Sequence, residues 1–205
     1  MDNRGLRLLL YESTHNPLFA IWHRGLLFIT WRLGVLFYRL LGRFDACYGA
    51  VDWDDGLSWL GNIEPDHPIA EIQYWGHGFP GAARLNNQFL DVSAVSSSHP
   101  LNPSLCKIAQ RLEGPDALWW FRTCSIFQGE EGQEFAQAWT TFFGCRVAGF
   151  TRTIGPLQGG LHSLRPGQQP GWTVTEGLES SWLPQWIKLG PYTITCLTGR
   201  IPDGW

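Results

Sequence analysis

An excess of charge of either sign is missing from this sequence: 15 Lys and Arg stand against 18 Asp and Glu, a formal net charge of −3 over 205 residues. No basic surplus offers a footprint for a phosphate backbone and no long run of like charge marks an interaction tail, so a nucleic-acid partner is not expected. The five cysteines, Cys47, Cys106, Cys124, Cys145 and Cys196, form no CxxC pair. Their spacing suits neither a disulfide framework nor a zinc site. No metal or other cofactor is expected, and a reducing compartment is the simpler setting. The first residues, MDNRGLRLLLYES, lack the apolar stretch and small-residue cleavage site of a secretory signal, which points to the cytoplasm. No internal repeat is visible.

What the chain does have is apolar mass. Apolar residues make up 44%, enough for a real core and too many for global disorder. Twelve Trp and twelve Phe imply a thick aromatic core, or a partly apolar surface that meets a partner or lipid. The length suits one substantial domain, residues 1–205, with a core over about 5–155. Residues 156–205 are rich in Gly, Pro and Trp and read as edge strands and loops of the same domain.

The stretch FAIWHRGLLFITWRLGVLFYRLL, residues 19–41, is close to the length of a membrane span but carries Arg24, Arg32 and Arg39. A charge near the middle of a span costs about 2.5–3.5 kcal/mol. At about 100° per residue the three arginines fall within roughly 80° of one another. This describes a helix with a narrow basic stripe and a broad apolar face. It suits burial in the domain with the stripe in solvent, or docking on a membrane surface or a partner protein.

Strands and helices alternate along the first 150 residues. LRLLLY reads as a buried strand, followed by the long helix; CYGAVDW reads as a short strand, followed by a short helix over DDGLSWLGNI with Asp54 or Asp55 near its cap. IAEIQYW is the third strand and stops at Gly76-His77-Gly78. GAARLNNQFLD reads as a hairpin turning at Asn86-Asn87, and residues 101–112 have helical spacing up to Gly114-Pro115. ALWWFRT is a strand with Cys124 just after it. Gly129 to Phe143 is a helix capped by Gly144, and CRVAGF is the next strand. Possible strands follow at WTVTE and PYTITCL. The alternation predicts parallel βαβ units with helices on both faces of the sheet. Glu71 and Gln73 are misfits on the third strand, because a covered parallel strand is near-continuously apolar. Either that face is lightly covered or both groups have partners.

Ligands of open parallel sheets bind outside the C-terminal ends of the strands. His77 follows one strand end and Cys124 follows the next. If the two strands are neighbours they lie about 4.8 Å apart, so the two side chains converge. Cysteine and histidine are the minimal nucleophile and base, and an adjacent imidazolium would lower the thiol pKa. The Gly78 N–H, unobstructed by a Cβ, and the Cys124 N–H, at the mouth of a helix, could hold an oxyanion. No other cysteine shares this address.

The order strand, His-Gly, hairpin, helix, strand, Cys is similar to the caspase-like cysteine peptidases, the group of caspases, gingipains, separase and CHAT domains. "TCSIFQGEEGQEFAQAWTTFFGCRVAGFTRTIG" resembles a bacterial branch often found at the head of large surface repeat proteins. There a Cys precedes a Gly-x-x-Gly helix start, an apolar helix, a Gly and a strand. "HGFPGAARLNNQFLD" resembles the "HGSPG" and hairpin of the same branch. The resemblance spans roughly residues 69–160, and the sequence departs from it at Thr123 and Ser125, where "GCN" is common.

The resemblance implies a three-layer α/β/α caspase-like fold with a mostly parallel central sheet. It implies a cysteine endopeptidase in which Cys124 attacks the scissile carbonyl and His77 carries the proton. No third residue stands out, since Glu130 and Glu131 serve the start of their helix. The group binds substrate as an added strand after the fifth sheet strand, which places residues 149–160 and His162 beside a protein or peptide substrate. An acidic pocket for Arg or Lys would draw on Asp45 or Asp52. The alternative is a catalytically silent interaction module of the same fold, docked on a membrane or partner through helix 19–41. A further variant passes the acyl group to an acceptor other than water.

Overall fold

The computed structural model describes residues 5–13, 25–154, 159–178 and 201. The start of the expected 19–41 helix, the expected strand at 191–197 and Cys196 lie outside the described residues. The elements run β1 (Leu6–Glu12), α1 (Gly25–Leu40), β2 (Ala46–Ala50), α2 (Trp53–Asn62) and β3 (Ile69–Trp75). A small meander follows, β4 (His77–Phe79), β5 (Ala82–Leu85) and β6 (Gln88–Leu90), then a 3-10 turn over Val92–Val95. The chain continues through α3 (Asn102–Ala109), β7 (Leu118–Arg122), α4 (Gly129–Phe143), β8 (Arg146–Phe150) and β9 (Leu161–Leu164).

Six strands form one sheet in the order β2-β1-β3-β7-β8-β9. The first five are parallel, and β9 runs antiparallel along the outer edge of β8. The expected alternation is therefore present, with helices on both faces. Leu9 and Trp75 point to α1, where they meet Val35, Tyr38 and Phe44. Leu8, Leu10, Ile72, Trp119 and Phe121 point to the other face and share one core with Leu57 of α2, Leu105 of α3 and Trp139 of α4. The result is a three-layer α/β/α architecture. Strands buried on both sides explain the unbroken Leu8-Leu9-Leu10 run, which shows at most 1% exposure. Much of the aromatic mass among the described residues is core: Phe135 and Trp139 stack at 4.6 Å on α4, and Trp119 and Phe143 meet at 4.6 Å.

The local punctuation is read correctly in most places. Gly144 ends α4 in the left-handed region at φ 61°, and Asn86 turns the β5–β6 hairpin at φ 55°. Glu71 and Gln73 have partners rather than a thin cover. Both Glu71 oxygens accept from Arg43 Nη2, at 2.7 and 2.8 Å; Gln73 Nε2 donates to Glu71 at 2.6 Å, and Trp75 Nε1 donates to Gln73 at 2.9 Å. This polar chain runs down the α1-facing side of β3.

The structure sharpens one local expectation and corrects another. The cap of α2 is Asp52, whose carboxylate accepts from the Asp55 N–H at 2.8 Å, with Asp54 and Asp55 near it in the first turn. WTVTE is not a strand but a run of turns, with the Glu176 N–H donating to Thr173 O at 3.1 Å and Leu178 to Thr175 O at 3.0 Å. The edge that such a strand would have joined is already filled by β9. His162 belongs to β9, paired with Gly149.

Candidate active site

β3 and β7 are neighbours, in a register that pairs Trp75 with Arg122. His77 and Cys124 each stand two residues beyond that pair, so both lie past the C-terminal edge of the sheet on adjacent strands. Gly76 breaks the strand, and His77 opens β4. Gly78 closes the approach: a Cβ there would collide with the Cys124 carbonyl and the Thr123 side chain. Only glycine lets the His77 strand lie this tightly on the cysteine turn.

Behind Cys124 the chain folds into a turn, and α4 starts only at Gly129. The Cys124 N–H is therefore not at the helix mouth; four residues intervene, and the macrodipole acts only within its own first turn. The Gly-x-x-Gly pattern shapes this turn. Gly129 enters the helix at φ 74°, and a Cβ on Gly132 would strike the Phe127 backbone. Ser125, directly after the cysteine, is one of few non-glycine residues with positive φ, at 54°. Its N–H donates to Arg152 O at 2.9 Å and the Phe127 N–H to Phe150 O at 3.0 Å, which ties the turn to the end of β8. Asparagine or glycine adopts this conformation more readily than serine. Ser125→Gly is expected to raise stability by about 0.5–1 kcal/mol by relieving that strain, read as a higher denaturation midpoint.

The structure adds one residue that the sequence reading missed. β1 lies on the other side of β3, with Tyr11 paired to Trp75. Glu12, 2% exposed, thereby comes opposite Gly76, and its Oε2 faces His77 Nε2 at 3.7 Å. The Asn86 N–H donates to the other oxygen, Oε1, at 3.2 Å. The distance to His77 is that of an ion pair rather than a hydrogen bond. The available signal was a lone acid ending an otherwise apolar strand, but it has meaning only once β1 is known to border β3.

The thiol differs from the expectation. Burial pushes the Cys124 thiol up, and a backbone hydrogen bond from Ile154 offsets this only in part. The resting group is a thiol and not the thiolate that an adjacent imidazolium would produce. Burial also raises Cys47, to about 11, and Cys145, to about 12.

The substrate-side residues are dispersed. Asp45 precedes β2, at the opposite, N-terminal edge of the sheet, and forms a two-pronged pair with Arg7 at 2.9 and 3.1 Å. It cannot reach strand ends on the far side. Asp52 is at the correct edge but two strands away from β3, and is engaged as the α2 cap. Within 149–160, Gly149 and Phe150 are already paired to β9, so the chain itself fills the first part of the expected substrate edge.

His162 Nε2 lies 2.8 Å from Glu176 Oε1, which also accepts from the Thr151 hydroxyl at 2.7 Å. The His162 ring stacks on Trp172 at 5.0 Å, and Trp172 Nε1 donates to Phe127 O at 2.8 Å. This cluster fastens residues 172–178 onto the cysteine turn and the end of β8. Burial alone would raise the Glu176 carboxyl, but hydrogen bonds from His162 and Thr151 outweigh it and hold the group below its usual value. A depressed carboxylate stabilises the fold above its unfolded pKa of about 4.3, and that contribution is lost as pH falls through the folded value. Glu176→Gln should therefore be less stable than wild type at neutral pH, with the difference closing in acid, as followed by urea midpoints across pH.

Among the described residues, no group of three or more His, Cys, Asp and Glu could hold a metal ion. No protein-family model and no curated protein matches the chain.

Proposed function

We propose that this protein is a cysteine endopeptidase of the caspase-like type, with Cys124 as nucleophile and His77 as general acid and base. The observation that carries this reading is the matched position of the two residues, each two beyond the paired Trp75 and Arg122, drawn together at a glycine contact. Because the resting thiol is neutral, His77 takes its proton during attack rather than before it. Sulfur adds to the scissile carbonyl, with the Gly78 and Cys124 N–H groups as oxyanion donors. The C–N bond breaks, His77 returns the proton to the leaving amine, and a thioester remains on Cys124. Water, deprotonated by His77, then cleaves the thioester and restores the thiol. With Nε2 turned to Glu12, this proton traffic falls to Nδ1, and Glu12 acts as a positioning residue for the ring.

The raised Cys124 thiol favours one second reading, a caspase-like interaction module that does not turn over. A proteome-derived peptide library, analysed for new N-termini, separates the two. Cleavage by wild type that is absent in both Cys124→Ala and His77→Ala supports the peptidase. No cleavage, together with Cys124 alkylation as slow as that of Cys145 in the folded protein, supports the module.

A further inference from the structure

We propose that the outward face of α1 docks on an anionic membrane surface. This does not depend on the peptidase reading. The helix is apolar on two sides. Inward, Val35 and Tyr38 are buried, and Gly34 lies so close to Trp75 that a Cβ would meet its ring at 2.9 Å. Outward stand Leu33 (60% exposed), Leu36 (56%), Phe37 (54%) and Leu40 (78%), with Leu41 (59%) just beyond the helix. Spacings of three, four, seven and eight residues make this one continuous row, and a helix facing water would not place its largest apolar side chains there.

The charges around the row select the partner. Between Glu12 and Asp45 the sequence contains no acidic residue, but it contains Arg24, Arg32, Arg39 and Arg43. Arg43 is committed to Glu71. Arg39, which is exposed, falls on one flank of the helix, roughly 110° from the centre of the apolar row. With the row in the acyl boundary, that flank lies at headgroup level, where an arginine reaches anionic phosphate. Among the described residues no helix is long and apolar enough to cross a membrane, and with its inner face packed on the sheet α1 is placed on the surface. A second copy fits less well, because an isologous pair sets arginine against arginine with no acid on either helix to neutralise them.

Co-sedimentation with vesicles of phosphatidylcholine alone and of phosphatidylcholine with phosphatidylglycerol tests this, using the full chain. Wild type should bind only the anionic vesicles at low salt and be released by high salt. Arg39→Gln should weaken binding about fivefold, as expected for one basic residue near the surface. The double variant Phe37→Glu, Leu40→Glu should weaken it by about a hundredfold or more. Both positions are exposed, and far-UV circular dichroism checks that the fold is retained. Three results would overturn the proposal: no binding by folded wild type at low salt, binding that the double variant leaves unchanged, or a dimer dispersed by that variant without any vesicle binding.

Discussion

Alanine at Glu71 is expected to lower folding stability by about 3–5 kcal/mol, the cost of removing one partner from a buried ion pair. The Glu71 and Arg43 side chains are only 10% and 11% exposed. The same carboxylate also holds the Gln73 amide, which in turn receives the Trp75 indole. Removing it deprives the Arg43 guanidinium of this carboxylate and the Gln73 amide of this acceptor. The loss is a large part of the roughly 5–15 kcal/mol that a folded domain possesses. It should appear as a lower urea midpoint with an unchanged slope. The double variant Arg43→Met, Glu71→Leu should recover most of the loss, since an apolar pair of similar volume avoids desolvating two charges. If the double variant is as unstable as Glu71→Ala, the cost lies in packing and not in the uncompensated charge.

Glu12→Gln is expected to lower kcat/KM about a hundredfold on a peptide selected from the library, with stability little changed. The isosteric amide keeps the volume at the end of β1 and removes only the charge opposite His77. A merely structural role would lower the urea midpoint along with activity, whereas a positioning role lowers kcat with KM and the midpoint unchanged. Cys124 alkylation in the resting enzyme should be unaffected, because burial governs that thiol. A loss that falls on KM or on the urea midpoint would remove Glu12 from the mechanism. A slowed alkylation would mean that it acts on the cysteine directly.

Much of the fold is legible from local pattern. The βα alternation, the limits of α4, the glycine at its end and the hairpin turn at Asn86 all depend on residues within a few positions of one another. The His77 and Cys124 addresses were legible for the same reason, as each is defined by the end of its own strand. Acid type alone says nothing about where on a sheet a residue sits: Asp45 lies at the opposite edge, and Asp52 lies at the correct edge but two strands from β3. Ion pairing with Arg7 and helix capping, both of them bonds outside the site, account for them. Nothing local marks His162 as a strand residue, because β9 is only four residues long and takes its identity as a strand from the edge of β8 rather than from its own sequence.

The sequence by itself determined most of the secondary structure, the α/β class and the two strand-end residues on which the proposed chemistry rests, since these follow from periodicity and turn chemistry. Only the tertiary structure decided that β3 lies between β1 and β7, and with that three further properties. Glu12 comes to His77 across 65 positions of chain because β1 and β3 pair out of sequence order. The Cys124 thiol is raised because the turn that carries it is buried against the end of β8. The apolar row of α1 faces outward because Val35 and Tyr38, and not Leu36 and Phe37, meet Trp75 on the sheet. Each of these is set by which elements become neighbours, and neighbours chosen by sheet pairing and shared burial leave no local trace in the chain.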